Sequence, residues 1–170
     1  QLSVFLENRE GRLEEVLDML GIASLRRRQI SSLSGGQKQK VAIASIIALK
    51  PKVLVLDEPT AELDPSSSKV VFDILKGLST ELGTTVIVVE QKIALLSEYA
   101  DMLLIVDNGK IAFSGSPEEV LEHSKELYDI GVNCPRSTSL VNRLRNMGIY
   151  SGVPVRNVSE AVAVCKEVLA

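Results

Sequence analysis

The chain has 170 residues, 45% of them apolar and 24% charged, and a net charge of −3. That balance suits a folded globular domain with a sizeable core and excludes a collagen repeat, a disordered tail and a coiled-coil rod. With aromatics at 4%, no Trp and a slight acidic excess, the core must be aliphatic, and no nucleic-acid partner is indicated.

No apolar run reaches the roughly 18 residues that span a bilayer. Val41 to Leu49, broken by Ser45, and Met102 to Val106 both read as buried segments. Cys134 and Cys165 lie 31 positions apart with no CxxC partner and no neighbouring His. Metal spacing is therefore absent, and the pair reads as reduced thiols of a cytosolic protein. No basic segment precedes an apolar stretch as in a secretory signal.

In chain order, Leu13, Val16, Leu17 and Leu20 follow helical spacing within residues 10–21, and Gly21 can end that helix. Arg26 to Arg28 read as a solvated loop. A second helix is predicted from Gly35 to Leu49, stopped by Pro51. Val53 to Leu56 is a continuous apolar run entering Asp57, the pattern of a buried strand. Asp64-Pro65 reads as an N-cap with Pro in the first turn, opening a helix to about Leu82. After Gly83, Thr84 to Val89 reads as a second buried strand.

A short helix from Ile93 to Glu98 leads to a strand at Met102 to Val106. Asn108-Gly109 then signals a hairpin into Ile111 to Phe113. Ser116-Pro117-Glu118-Glu119 is a capping box opening a helix to about His123. Beyond residue 124 two helices are predicted, one carrying Leu140, Val141, Leu144 and Met147, the other Ala161, Val164, Cys165 and Val168. Asn157 and Glu160 stand at the start of the second. Strand–helix alternation implies an α/β layer with parallel strands.

Four segments carry chemistry. Leu33-Ser34-Gly35-Gly36-Gln37-Lys38-Gln39-Lys40 places a hydroxyl and two glycines where a helix begins, a place whose free N–H groups face an anion. Val53 to Thr60 delivers Asp57 and Glu58 at the C-terminal end of a strand, where ligands bind in open α/β sheets. There Asp57 can hold magnesium through water, and Glu58 can orient and deprotonate a water for attack on a phosphoryl group. Ala61-Glu62-Leu63-Asp64-Pro65 follows directly, and the Val86 to Val89 run ends in Glu90-Gln91. Each alone has a plain alternative: SGG occurs in many loops, and Asp-Glu-Pro is an ordinary turn after a strand.

Taken in order, the four resemble the C-terminal half of an ABC transporter ATPase. Ser34 to Gly36 match the signature loop, Asp57 and Glu58 the Walker B pair, Leu63-Asp64 the D-loop and Gln91 the switch position. The separations, 23 residues from Ser34 to Asp57 and 34 from Asp57 to Gln91, fit that family. The resemblance covers about residues 25–120. LSGGQKQKVAIA and KPKVLVLDEPTAELDP are most similar to the energy-coupling ATPases of bacterial vitamin and metal-ion uptake.

The resemblance implies a partial P-loop NTPase sheet with flanking helices and a small helical C-terminal extension. It divides the chain into part of a helical subdomain at 1–33, the core at 34–123 and the extension at 124–170. It implies ATP and Mg2+, and a second ATPase subunit, identical or not, facing this one head to tail. Ser34, Gly35, Gly36 and Gln37 would then contact ATP held by that partner. Asp57 and Glu58 would act on their own subunit's nucleotide, and Leu63-Asp64 would lie at the interface. Transmembrane transporter subunits would anchor the protein peripherally at the cytoplasmic face. The extension is expected to serve dimerisation.

Two departures matter. The 170 residues hold no G-x-x-x-x-G-K-[ST]; their only Gly-Lys pair is Gly109-Lys110, followed by Ile111. The base-stacking aromatic segment and the Q-loop are also not recognisable, and Gln1 gives no sign of a Q-loop role. Without the phosphate cradle, the expectation is an N-terminally truncated piece, a reading the Gln1 start supports. Such a piece neither binds ATP tightly nor hydrolyses it alone, and it exposes an apolar sheet edge. Gln91 stands where the family usually has His; its amide still donates a hydrogen bond but carries no charge, so slow turnover is expected. His123 reads as a solvated helix-end residue. The alternative is a non-catalytic module that docks on a partner ATPase. Chromosome-maintenance or repair ATPases carry long coiled-coil insertions, and translation-type proteins carry tandem units; neither feature is visible.

Overall fold

The computed structural model describes residues 2–169, with side chains described from residue 11 onward; Gln1 lies outside the described residues. Two compact units divide the chain, residues 1–90 and residues 91–170. This division falls after Glu90, whereas the sequence reading placed its boundaries after 33 and 123.

The first unit runs α1 (Leu2–Met19), two 3-10 turns (Ala23–Leu25 and Ile30–Ser32), α2 (Gly35–Ile47), β1 (Val53–Asp57), α3 (Pro65–Leu82) and β2 (Thr85–Val89). Helix α1 starts well before the apolar spacing that revealed it, and Gly21 (φ 64) follows its end. Helix α2 stops at Ile47, two residues short of the predicted end, and Ile43, Ala44 and Ile47 form its buried stripe. Helix α3 matches its sequence signals at both ends. Asp64 caps it by accepting from the Ser67 N–H at 2.9 Å, and Gly83 closes it in the left-handed region at φ 65. The Gly83 and Thr84 N–H groups both reach back to the Leu78 carbonyl, the latter at 3.1 Å. Val71, Leu75 and Leu78 pack with Leu54 and Leu56 of β1 and Val16, Leu17 and Leu20 of α1 in one aliphatic core.

Strands β1 and β2 pair in parallel from Val53↔Thr85 to Asp57↔Val89. The sequence predicted strands buried throughout; the structure buries one face only. Leu54 and Leu56 point into the core, while Val53, Val55, Ile87 and Val89 are 57%, 62%, 49% and 56% exposed. Side chains alternate across a sheet, and nothing within the first unit covers the second face. Each strand pairs only with the other, so each has an unpaired edge among the described residues.

The second unit contains α4 (Ile93–Tyr99), β3 (Leu103–Asp107), β4 (Lys110–Gly115), α5 (Pro117–Glu122), α6 (Ser124–Asp129), α7 (Arg136–Asn146) and α8 (Val158–Leu169). β3 and β4 form an antiparallel hairpin whose two-residue turn places Asn108 at φ 47 and Gly109 at φ 74, as the dipeptide predicts. The predicted capping box closes α5: the Glu119 N–H donates to Ser116 Oγ at 3.3 Å, and the Ser116 N–H donates to Glu119 Oε2 at 2.7 Å. Asn157 caps α8 by accepting from the Glu160 N–H at 2.9 Å.

The region after residue 124 holds three helices rather than the predicted two. Helix α6, only six residues long, has too few turns to show apolar periodicity. The buried stripe of α7 is also different from the one expected. Thr138, Val141 and Asn142 face inward, whereas Leu140 and Met147 are exposed. The donor groups at these inner positions find partners, while Asn142 Oδ1 is buried without one. Thr138 Oγ1 donates to the Val155 carbonyl at 2.6 Å, and Asn142 Nδ2 donates to the Leu121 carbonyl at 2.7 Å and to Ser124 Oγ at 2.9 Å. Both cysteines are free thiols, and burial pushes Cys134 up to about 11.

Candidate nucleotide-engaging site

The signature segment opens α2. Ser34 is its N-cap, in extended backbone. Ser34 Oγ accepts from the Gln37 N–H at 3.3 Å, and Gln37 Oε1 accepts from the Ser34 N–H at 3.1 Å. This reciprocal pair leaves the hydroxyl proton of Ser34 available to donate outward. The first turn of α2 also directs open N–H groups away from the helix. The loop therefore presents donors and suits an anion.

Gly36 has a second purpose that the motif did not reveal. A Cβ at Gly36 would lie 3.1 Å from the Glu62 carbonyl oxygen and 3.3 Å from Leu63 Cδ2; one at Gly35 would lie 3.0 Å from Glu62 Oε2. A side chain at Gly36 would press on the Glu62 backbone and Leu63, whereas the Glu62 carboxylate could swing away from one at Gly35. Ser34 to Gln37, Lys40 and Leu63-Asp64 border a common open cleft. The carboxyl of Asp64 is held below the usual range by hydrogen bonds from the Ser67 hydroxyl and N–H.

Asp57 ends β1, on the same face as the exposed Val53 and Val55. Glu58 follows in the left-handed region at φ 45, a conformation that costs a non-glycine residue about 1–2 kcal/mol. The surroundings hold it there. The Glu58 N–H donates to the Val89 carbonyl at 2.9 Å, and its carbonyl accepts from Gln39 Nε2 at 3.0 Å. Gln39 Oε1 accepts from the Glu62 N–H at 3.1 Å. Thr60, fully buried, donates from both its N–H and its hydroxyl to Glu90 Oε1.

The structure therefore brings Ser34, Gly35, Gly36, Gln37, Leu63 and Asp64 to one cleft, and Asp57 and Glu58 to one strand end. Gln91 belongs to the second unit, where its carbonyl accepts from the Ile93 N–H at 3.0 Å. Gln39, Thr60, Glu62 and Glu90 lie within the four segments, but the sequence assigns them no role of their own. One signal existed: Gln39 lies four residues before Ile43, so it is a polar residue on the buried stripe of α2.

For magnesium, the strand end offers the Asp57 carboxylate with Glu58 next to it, and no group of three His, Cys, Asp or Glu gathers among the described residues. Such a site suits Mg2+, which keeps several waters and is held by one or two carboxylates together with substrate phosphates.

The strand end carrying Asp57 and Glu58 and the anion-presenting start of α2 thus belong to one unit of the chain. The ABC transporter family model matches residues 1–61, and over most of its length the chain is similar to ABC transporter ATP-binding proteins. More particularly, it is 36% identical over 156 residues to the energy-coupling factor transporter ATP-binding protein EcfA1 of Clostridium novyi, covering 91% of this chain and 55% of that protein. It is also 36% identical over 162 residues to EcfA2 of Symbiobacterium thermophilum, covering 95% of this chain and 56% of that one. Among solved structures it is similar to cbiO1 of Clostridium perfringens, described as part of the ABC transporter complex cbiONQ. That match has a TM-score of 0.60 and 32% identity over 81% of this chain and 53% of that one. The dimeric cassette MJ0796 matches at a TM-score of 0.58 and 31% identity over 65% of this chain and 48% of that one. The chain spans about half the length of the curated relatives it matches.

No helix among the described residues is long and apolar enough to cross a membrane.

Proposed function

We propose that this chain supplies the signature loop, Walker B carboxylates and D-loop of an ATP-hydrolysing subunit that powers membrane import of the energy-coupling type. The observation that carries the reading is the joint placement of Ser34 to Gln37 with Leu63-Asp64 at one cleft, tied to the Glu58 turn by Gln39.

In this reading Ser34, Gly35, Gly36 and Gln37 donate to the γ-phosphate of ATP held by a second ATPase subunit, identical or not. Asp57 holds magnesium through water beside the nucleotide of its own subunit, and the ion supplies charge neutralisation at the β- and γ-phosphates. Glu58 takes the proton of the attacking water. Leu63-Asp64 lies at the interface between subunits, and Gln91 hydrogen-bonds near the γ-phosphate in place of an imidazole. Residues 1–33 belong to a helical subdomain, 34–123 to the core, and 124–170 to an extension that serves dimerisation. The assembly sits at the cytoplasmic face against transmembrane subunits. Because the 170 residues contain no P-loop sequence, they turn over no ATP by themselves.

The decisive test replaces the base in the complete ATPase that carries these residues. Glu58→Gln should lower turnover by about 10²–10⁴-fold while Mg-ATP binding by calorimetry is retained. Turnover within a few-fold of the parent would remove Glu58 from the chemistry.

A further inference from the structure

We propose that Gln39 is a positioning residue through which the signature helix sets the catalytic turn of its own chain. This rests on the reading of Glu58 as the base. The side-chain amide of Gln39 faces two loop groups at once. Its Nε2 donates to the Glu58 carbonyl at 3.0 Å, and its Oε1 accepts from the Glu62 N–H at 3.1 Å. Only a side chain carrying both a donor and an acceptor at this reach satisfies the pair.

The Glu58 carbonyl lies next to a backbone held at φ 45. A non-glycine residue stays in that region only where its neighbours over-determine it. Beyond the turn's own bond from the Ala61 N–H to the Glu58 carbonyl at 3.2 Å, these constraints from other elements converge on it: the Val89 carbonyl on the Glu58 N–H, the Gln39 amide on the Glu58 carbonyl, and the Glu90 carboxylate on Thr60. Two of them come from β2 and its end, which are fixed by strand pairing. The third comes from α2, whose first turn is the anion-presenting loop. A shift of α2 as that loop engages a phosphate is therefore passed to Glu58 through one amide. Gly36 keeps the lever short by letting the Glu62 backbone and Leu63 rest on the same helix start.

The consequence concerns how two facing sites communicate. The signature loop engages the partner's nucleotide, whereas Gln39 acts on the base of its own chain, so occupancy of one site adjusts the geometry of the other.

The test uses the complete dimeric ATPase. Gln39→Leu keeps the apolar stem and removes both bonds. It should lower kcat about ten- to hundredfold, the range of a small misplacement of a reacting group, and leave KM for ATP within about twofold, since ground-state binding is untouched. Gln39→Glu keeps the acceptor for the Glu62 N–H but sets a carboxylate against the Glu58 carbonyl, and should fall at least as far; it serves if the leucine variant does not fold. In mixed dimers with Glu58→Gln on one chain, the loss should appear when Gln39→Leu shares a chain with the intact Glu58 and not when the two are on opposite chains. The opposite pattern, or parental kcat in both Gln39 variants, overturns the proposal. An active Glu58→Gln dimer overturns instead the assignment of the base.

Discussion

Glu58 shows how a single backbone angle separates a turn from a reactive position. Asp-Glu-Pro after a strand is compatible with many loops, and the dipeptide alone does not fix where the second carboxylate points. In the fold, the φ of 45 and the bonds from Val89 and Gln39 select one orientation. The motif residues were legible because their chemistry is distinctive: paired carboxylates after an apolar strand, a Ser and two glycines before a helix. Gln39, Thr60 and Glu90 were not, because their importance is a matter of partners about 20 to 30 positions away in sequence, which no local pattern encodes.

Two carboxylates give the residue scale its pH dependence. Hydrogen bonds from Ser67 and Ser116 hold Asp64 and Glu119 below their ordinary values in the folded chain. A depressed folded pKa stabilises the fold above the unfolded value, near 4, and that contribution is lost as the pH falls through the lower folded value. Acid unfolding followed by circular dichroism should therefore be shallower in Asp64→Asn and Glu119→Gln, which keep the caps but do not titrate. An unchanged acid limb in both would show that neither carboxylate is linked to folding.

At the scale of elements, the signals that held were those with a local stereochemical cause. The α3 boundaries, the Asn108-Gly109 turn and the Ser116 box each follow from a residue that fits one backbone conformation or satisfies one open group. Gly109→Ala tests this directly. It places a Cβ at φ 74 and should destabilise the fold by about 1–2 kcal/mol, read from a lower denaturation midpoint with an unchanged slope. The signals that failed needed tertiary knowledge. The inward face of α7 is set by Thr138 and Asn142, whose hydrogen bonds to other segments outweigh the apolar preference of Leu140 and Met147.

The whole molecule is read best from β1 and β2. Their apolar sequence announces strands, and also burial on both faces, which the first unit supplies on one face only. Parallel strands of this composition are ordinarily covered on both sides. The 170 residues on their own should therefore self-associate, measured as a mass above 18.4 kDa by light scattering during gel filtration. The double variant Val55→Lys, Ile87→Lys should return the mass toward the monomer. A monomeric parent at high concentration would count against an adhesive sheet face.

That half-covered sheet also changes what stability means for this chain. If the open face is buried only by association, folding and assembly are linked by mass action. A melting temperature then reports protein concentration as well as sequence, and two laboratories working at different dilutions would measure different values for the same polypeptide.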